Sequence, residues 1–326
     1  MDTRRKNNAL LFLKNEKVKN TISNLLPVIG FVFIIVFFGI MTKGVSLSPF
    51  NIKILINQAI VVAIIATTAT FIFSMGAFDI SIGAVTCFAA VVGAIAANAT
   101  KSPIVMFAMC MVSAIALSLM NGFCIAFLKL PSFIVTLATM NIISAAVTLV
   151  IGTTDLITLE MDVDYLDQIY IKIIVLIVVM LLSVILFDFT KLGKSNKIIG
   201  GNQTVASLSG ISITKNILAT FLVSGIGIGL GAFLLLVRTG SVSSQTASSM
   251  GFDIIMAMVL GGMPISGGAK SKITAALIGA FTITALNNGL VIMGASVGAL
   301  QAIRGVIFLI IITLMLLNQR EKLLPR

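Results

Sequence analysis

The chain is a succession of long apolar runs divided by short polar joints. The first run without Asp, Glu, Lys or Arg lies between Lys19 and Lys43, with its apolar heart at Leu25–Met41. Others follow at Ile54–Met75, Ile80–Thr100, Ser102–Leu128 and Leu130–Thr154. An acidic joint, Asp155–Asp167, precedes Ile169–Phe187, and a basic joint, Asp188–Lys215, precedes Asn216–Val237. Phe252–Pro264, Ile273–Ile303 and Gly305–Leu317 complete the series. About 20 apolar residues in a helix cross a hydrocarbon core about 30 Å thick. Ile273–Ile303 has 31 residues, about 46 Å as one helix, too long for one comfortable span. Gly294 and Gly298 offer a turn, so one helix is expected to end near Met293 and the last to start near Ala299. The pattern predicts an all-α polytopic membrane protein with about ten transmembrane helices, the span at Phe252–Pro264 being the shortest.

Composition sharpens this reading. Of the 326 residues, 58% are hydrophobic and only 10% charged, with a mean hydropathy of +1.15. Ordinary soluble domains are about 25% charged, so a soluble globular enzyme and a disordered chain are both excluded. The chain has no His, which removes Ser-His triads, HExxH zinc helices and His proton relays. Cys87, Cys110 and Cys124 sit in apolar runs without metal-ligand spacing and read as small apolar filler.

The net charge of +11 is explained by topology. With ten spans and both termini cytoplasmic, the inner segments 1–25, 76–79, 129, 188–215, 266–272 and 320–326 hold 16 Lys/Arg and 5 Asp/Glu, against 6 and 6 outside. That is a positive-inside split, and it needs no nucleic acid. The expected organisation is a basic cytoplasmic arm (1–25), a single transmembrane domain (26–320) with an inner loop at 188–215, and a cytoplasmic tail (321–326). The arm (Arg4, Arg5, Lys6, Lys14, Lys17, Lys19) before the first run resembles a signal peptide. No A-x-A cleavage site follows, so the run is read as a retained span.

Few polar residues interrupt the spans. Asp79, between two runs, either caps the following helix together with Ser81 or serves transport. Asn287 and Asn288 are adjacent in mid-span, about 100° apart on a helix, and serve either interhelical hydrogen bonding or a polar pathway. Arg304, one turn into the last span, either snorkels or meets an acidic partner. Gly225, Gly227, Gly229 and Gly231 form two overlapping small-xxx-small patterns of close packing. Gly193-Lys194-Ser195 is no P-loop, because Asp188 stands where its first Gly belongs. A G-x-x-x-I-S-x-G pattern occurs at Gly76–Gly83 and again at Gly261–Gly268, a weak sign of an internal repeat.

Four stretches carry a family resemblance. They are Asp79-Ile80-Ser81-Ile82-Gly83; Leu130-Pro131-Ser132-Phe133-Ile134-Val135-Thr136-Leu137-Ala138-Thr139-Met140; Ile199-Gly200-Gly201-Asn202 with Leu208-Ser209-Gly210-Ile211; and Gly261-Gly262, Ile265-Ser266-Gly267-Gly268, Leu286-Asn287-Asn288-Gly289-Leu290 and Arg304-Gly305. In this order they resemble the permease subunits of ribose-type ABC sugar importers. The resemblance implies a bacterial inner-membrane, multi-pass subunit that performs no covalent chemistry and holds no cofactor. It implies separate ATPase subunits that bind ATP, an extracytoplasmic sugar-binding protein and a second permease chain, identical or not. Gly200, Gly201, Asn202, Leu208, Ser209 and Gly210 would couple to the ATPase. The usual charges of that stretch are replaced here by Gln203-Thr204-Val205-Ala206-Ser207. Asn287, Asn288, Asp79 and Ser81 are the pathway candidates. Lys43, Lys53, Lys101, Lys172, Arg238 and Arg304 could meet acidic lobes of the binding protein. The implied cargo is a monosaccharide such as a pentose; a nucleoside or furanose-signal permease and a self-contained secondary carrier are the alternatives.

Overall fold

The computed structural model describes residues 16–152 and 155–323. The arm residues Arg4, Arg5, Lys6 and Lys14 fall outside them, as do Thr153, Thr154 and the last three residues of the tail.

The helices are α1 (Glu16–Met41), α2 (Pro49–Ser74), α3 (Ile82–Thr100), α4 (Pro103–Leu128), α5 (Ser132–Ile151), α6 (Ile169–Val184), α7 (Lys191–Gly201), α8 (Gln203–Leu208), α9 (Ile213–Thr239), α10 (Met250–Leu260), α11 (Ile273–Ile292) and α12 (Val297–Leu323). Among the described residues seven helices are long and apolar enough to cross a membrane: α2, α3, α4, α5, α6 with its continuation to Phe189, α9 and α11. Shorter apolar helical stretches lie at Leu25–Met41, Met250–Leu260 and Val297–Ile311. The chain is therefore an all-helical, multi-pass membrane protein.

Helix ends follow local chemistry. Ser48 and Ser102 cap α2 and α4 by accepting from Asn51 N (3.3 Å) and Val105 N (3.5 Å), and each is followed by Pro. The long run Ile273–Ile303 breaks where Gly294 takes a left-handed backbone (φ 81°). The expected crossing at Phe252–Pro264 holds a short helix. Its helix, α10, has 11 residues, about 16 Å, only half the hydrocarbon thickness. Chain without α-helix, from Gly240 to Ser249, leads into it. Its first part, β2 (Ser241–Ser243), pairs antiparallel with β1 (Leu156–Thr158) from the acidic outer loop, Thr158 opposite Ser241.

The core is centred on α9. Its alternate glycines face two different helices. Gly225 and Gly229 lie against Ala114, Ile115 and Cys110, Met111 of α4, while Gly227 and Gly231 lie against Thr68 and Ile65 of α2. A Cβ at Gly227 would overlap the Thr68 side chain. Without a hydrophobic force between helices in lipid, such close approach supplies the dispersion contact that holds a bundle together.

Overpacking a tight core costs about 1–3 kcal/mol. Gly227→Val is therefore expected to lower the thermal midpoint of the detergent-solubilised protein. Gly30→Ala, at a position with open space around it, leaves the midpoint unchanged.

Candidate translocation core and coupling surface

Three polar constructions lie within the apolar bundle. The first is at the start of α3. After α2 ends at Ser74, the chain turns back into the protein, and Asp79 is 1% exposed. Asp79 Oδ1 accepts from Ser81 N (2.9 Å) and Ser81 Oγ (2.6 Å). Asn121 Nδ2 of α4 donates to Ser81 Oγ (2.8 Å), and Thr139 Oγ1 of α5 donates to Asn121 Oδ1 (2.7 Å). Asn121 and Thr139 each lie seven residues in from the inner ends of their helices, about 10 Å. α3 therefore begins inside the bundle. Asp79 satisfies the Ser81 amide just ahead of α3, while Ser81, at the N-cap position, makes no side-chain cap. The other Asp79 oxygen, Oδ2, is buried without a hydrogen-bond partner.

The second joins α10, α11 and α12. Arg304 Nη1 lies 3.1 Å from Asp253 Oδ1, and Arg304 Nε donates to Asn287 Oδ1 at 2.7 Å. Ser249 Oγ donates to Asp253 Oδ2 (3.3 Å), and Asn287 Nδ2 to Asp253 Oδ1 (3.4 Å). Next along α11, Asn288 and Asn51 of α2 exchange reciprocal amide bonds of 3.0 and 2.8 Å. Both asparagines thus bind neighbouring helices. Arg304 is almost buried and does not snorkel.

The third joins the end of α2 to α7, α9 and the loop before α11. The Ser74 carbonyl accepts from Gly268 N (2.8 Å), and Gly200 packs so closely on both groups that a Cβ there would overlap them. Asn196 Nδ2 donates to Phe71 O (3.1 Å) and to Thr220 Oγ1 (3.0 Å), and Asn216 Nδ2 donates to Asn196 Oδ1. Asn202 caps α8 by accepting from Thr204 N and Val205 N. Asn202, in extended backbone (φ −163°), divides α7 from α8. Gly200 serves close approach, and Gly201 faces open space. Gly210 takes a positive φ of 78° after α8, with Ser209 at the C-cap. Val205 and Leu208 are 52% and 84% exposed, an apolar knob at the tip of the loop. The two copies of the G-x-x-x-I-S-x-G pattern meet here, Gly76 against Ser266 O and Gly267 against Ser74 O.

The family model for the branched-chain amino acid transport system / permease component matches residues 51–316. The chain belongs to this family. It is similar to the ribose import permease protein of Bacillus subtilis (strain 168): the two are 29% identical over 297 residues, 88% of this chain and 91% of the relative. The ribose import permease protein of Haemophilus influenzae is 30% identical over 259 residues, 76% of this chain and 79% of the relative. The fructose import permease protein of Rhizobium meliloti is 25% identical over 282 residues, 82% and 78%. No solved structure matches.

The expected docking bases divide. Lys43 and Lys53 are exposed. Lys101 is exposed and paired with Glu160 at 2.5 Å. Lys172 is 0% exposed, held by Asp167 (2.5 Å) and Asn57 (2.8 Å), and Arg304 is buried against Asp253, so neither presents a charge to a docking partner. Arg238, half-buried at the end of α9, feels the charge of Asp167. What the sequence reading missed is the chain from Ser241 to Ser249. Seven of its nine residues carry a hydroxyl or an amide and none a charge, a composition that reads as an ordinary outer loop.

Removing one member of a buried ion pair costs about 3–5 kcal/mol, because the other charge is stranded. Arg304→Leu should therefore lower the thermal midpoint in detergent markedly, and Arg304→Leu with Asp253→Leu should regain at least half the loss. A double variant no better than the single one would show that the pair is not what ties α10 to α12.

Proposed function

We propose that the chain is the transmembrane permease subunit of an ABC importer that moves a monosaccharide, ribose or a related sugar, into the cytoplasm. The observation that carries the reading is the inner-face module. A two-helix loop, α7–α8, is fastened to the end of α2 and to the loop before α11, and it offers an uncharged apolar knob. A chain with no P-loop needs such a surface to receive work from separate ATPase subunits. The family match and the ribose and fructose import permeases among its relatives support the cargo class.

In this reading the chain crosses the membrane ten times, α10 with its irregular lead-in counting as one crossing, and both termini are cytoplasmic. Sixteen inner Lys/Arg against six outer ones set that orientation. Docking of the ATPase then rests on shape and apolar contact at Val205 and Leu208, and so resists salt. Lys43 and Lys53 are the free outer bases for a binding protein with acidic lobes, and two permease chains flank the path.

The test is uptake of D-ribose, D-fructose and L-arabinose by proteoliposomes that contain the chain, its ATPase partner and the binding protein. Uptake by the chain alone, driven by an ion gradient, would overturn the reading in favour of a secondary carrier. Within the assembled system, Gly200→Ala should reduce ATP-driven uptake at least tenfold because the loop must shift off Ser74 and Gly268. Gly201→Ala should leave uptake within twofold of the parent.

A further inference from the structure

The chain from Gly240 to Ser249 is not an ordinary outer loop, for it leads into the bundle ahead of α10. Its first residues belong to the outer face: Gly240 O accepts from Leu159 N (2.8 Å), and Asn98, near the outer end of α3, bonds Thr158 O (2.8 Å) and Glu160 N (2.9 Å). Its far end reaches the opposite end of the same helix. Cys87 Sγ meets Ser243 O (3.4 Å), and a Cβ on Gly83, in the first turn of α3, would touch Ala247 O (2.6 Å) and Gly251 N (3.0 Å). Nineteen residues of α3, about 28 Å, separate its two ends. The segment therefore descends through the bundle to the level of Ser81, which is itself about 10 Å in from the inner helix ends.

At that depth Gln245 and Ser248 are exposed. Among the described residues the side chains of Ser244, Gln245 and Ser248 have no hydrogen-bond partner, whereas Ser243, Thr246 and Ser249 are bonded within the segment or to Asp253. Irregular backbone with unpaired polar side chains persists at membrane depth only where it lines a water-filled cavity or is buried in protein. No residue from Gly240 to Phe252 is ionisable, the neighbouring Asp253 is neutralised by Arg304, and Asp79 is turned into its own cluster. Hydroxyls and an amide both donate and accept, which suits a neutral, polyhydroxylated molecule. An ion would leave water here without a counter-charge.

We propose that the deep tip of this segment, Ser244, Gln245 and Ser248, is the station in the membrane where the neutral solute is handed through the permease by hydrogen bonds. The proposal rests on the importer reading for the identity of the solute, and on geometry alone for the aqueous exposure of the tip.

The experiment has two arms. In a Cys124→Ser background, where Cys87 and Cys110 are buried, Gln245→Cys and Ser248→Cys are treated in membrane vesicles of mixed orientation with a membrane-impermeant methanethiosulfonate ammonium reagent. Both should react at least tenfold faster than Leu182→Cys on the lipid-facing side of α6, and within tenfold of Asp164→Cys in the outer loop. Reaction as slow as Leu182→Cys overturns the proposal in favour of a tip covered by protein. In the assembled transporter, Gln245→Leu should cut maximal D-ribose uptake at least tenfold. Half-saturation by the loaded binding protein and the rate of ATP hydrolysis should each stay within twofold, so that sugar moved per ATP falls. Unchanged uptake per ATP also overturns the proposal. If the parent transporter moves none of D-ribose, D-fructose and L-arabinose while the tip cysteines still react, the importer reading for these sugars fails and the aqueous tip stands.

Discussion

In hydrocarbon there is no water to pair with a peptide N–H or C=O, and every exception to a continuous helix must be accounted for inside the protein. This constraint organises the bundle. Each place where helix is interrupted at depth carries its own set of partners. Ahead of α3 they are Asp79, Ser81, Asn121 and Thr139, and before α10 they are β1, Thr246 and the Asp253 carboxylate. Where helix runs unbroken, the opposite device appears, and side chains are removed so that backbones touch. Gly229 and Gly279 meet the backbones of neighbouring helices at distances no Cβ allows. Polar clusters fix where the chain may bend, and glycines fix how near the straight parts may come.

Much of this was legible in the residue pattern, for reasons that are physical. A run of 20 or more residues without a charge can only be a span in a chain this apolar, so the positions of the long helices follow directly. Gly294 marked the division of the 31-residue run because only glycine tolerates the left-handed backbone cheaply. The glycine ladder of α9 announced close helix packing.

The parts that were not legible depend on depth and on distant partners. The stretch from Ser241 to Ser249 has the polarity of an exposed loop, and hydropathy measures polarity, not position. Its descent is visible only through Cys87 and Gly83, far away in sequence. Lys172 was counted among the outer bases because a lysine near a helix start usually reaches water. Asn57 and Asp167 enclose it instead. Gly200 and Gly201 look equivalent in sequence, yet one is pressed between two backbones and the other is open, since helical phase decides which side meets Ser74. Asn287 and Asn288 looked like rivals for one pore. On three packed helices their divergent directions let each find its own neighbour.

The amide pair between Asn51 and Asn288 sits near the outer end of α2, and the contacts of Gly200, Gly268 and Asn196 sit at its inner end. Asn51 and Ser74 are 23 residues apart on one unbroken helix, about 34 Å. α2 is thus a rod pinned at both tips. A slide of one helical turn against α11 would break both amide bonds, and a swing of α7 would first have to break the Asn196 bond to the Phe71 carbonyl and lift Gly200 off the Ser74 carbonyl. The cheapest deformation of the protein therefore leaves α2, α7 and α11 moving as one body.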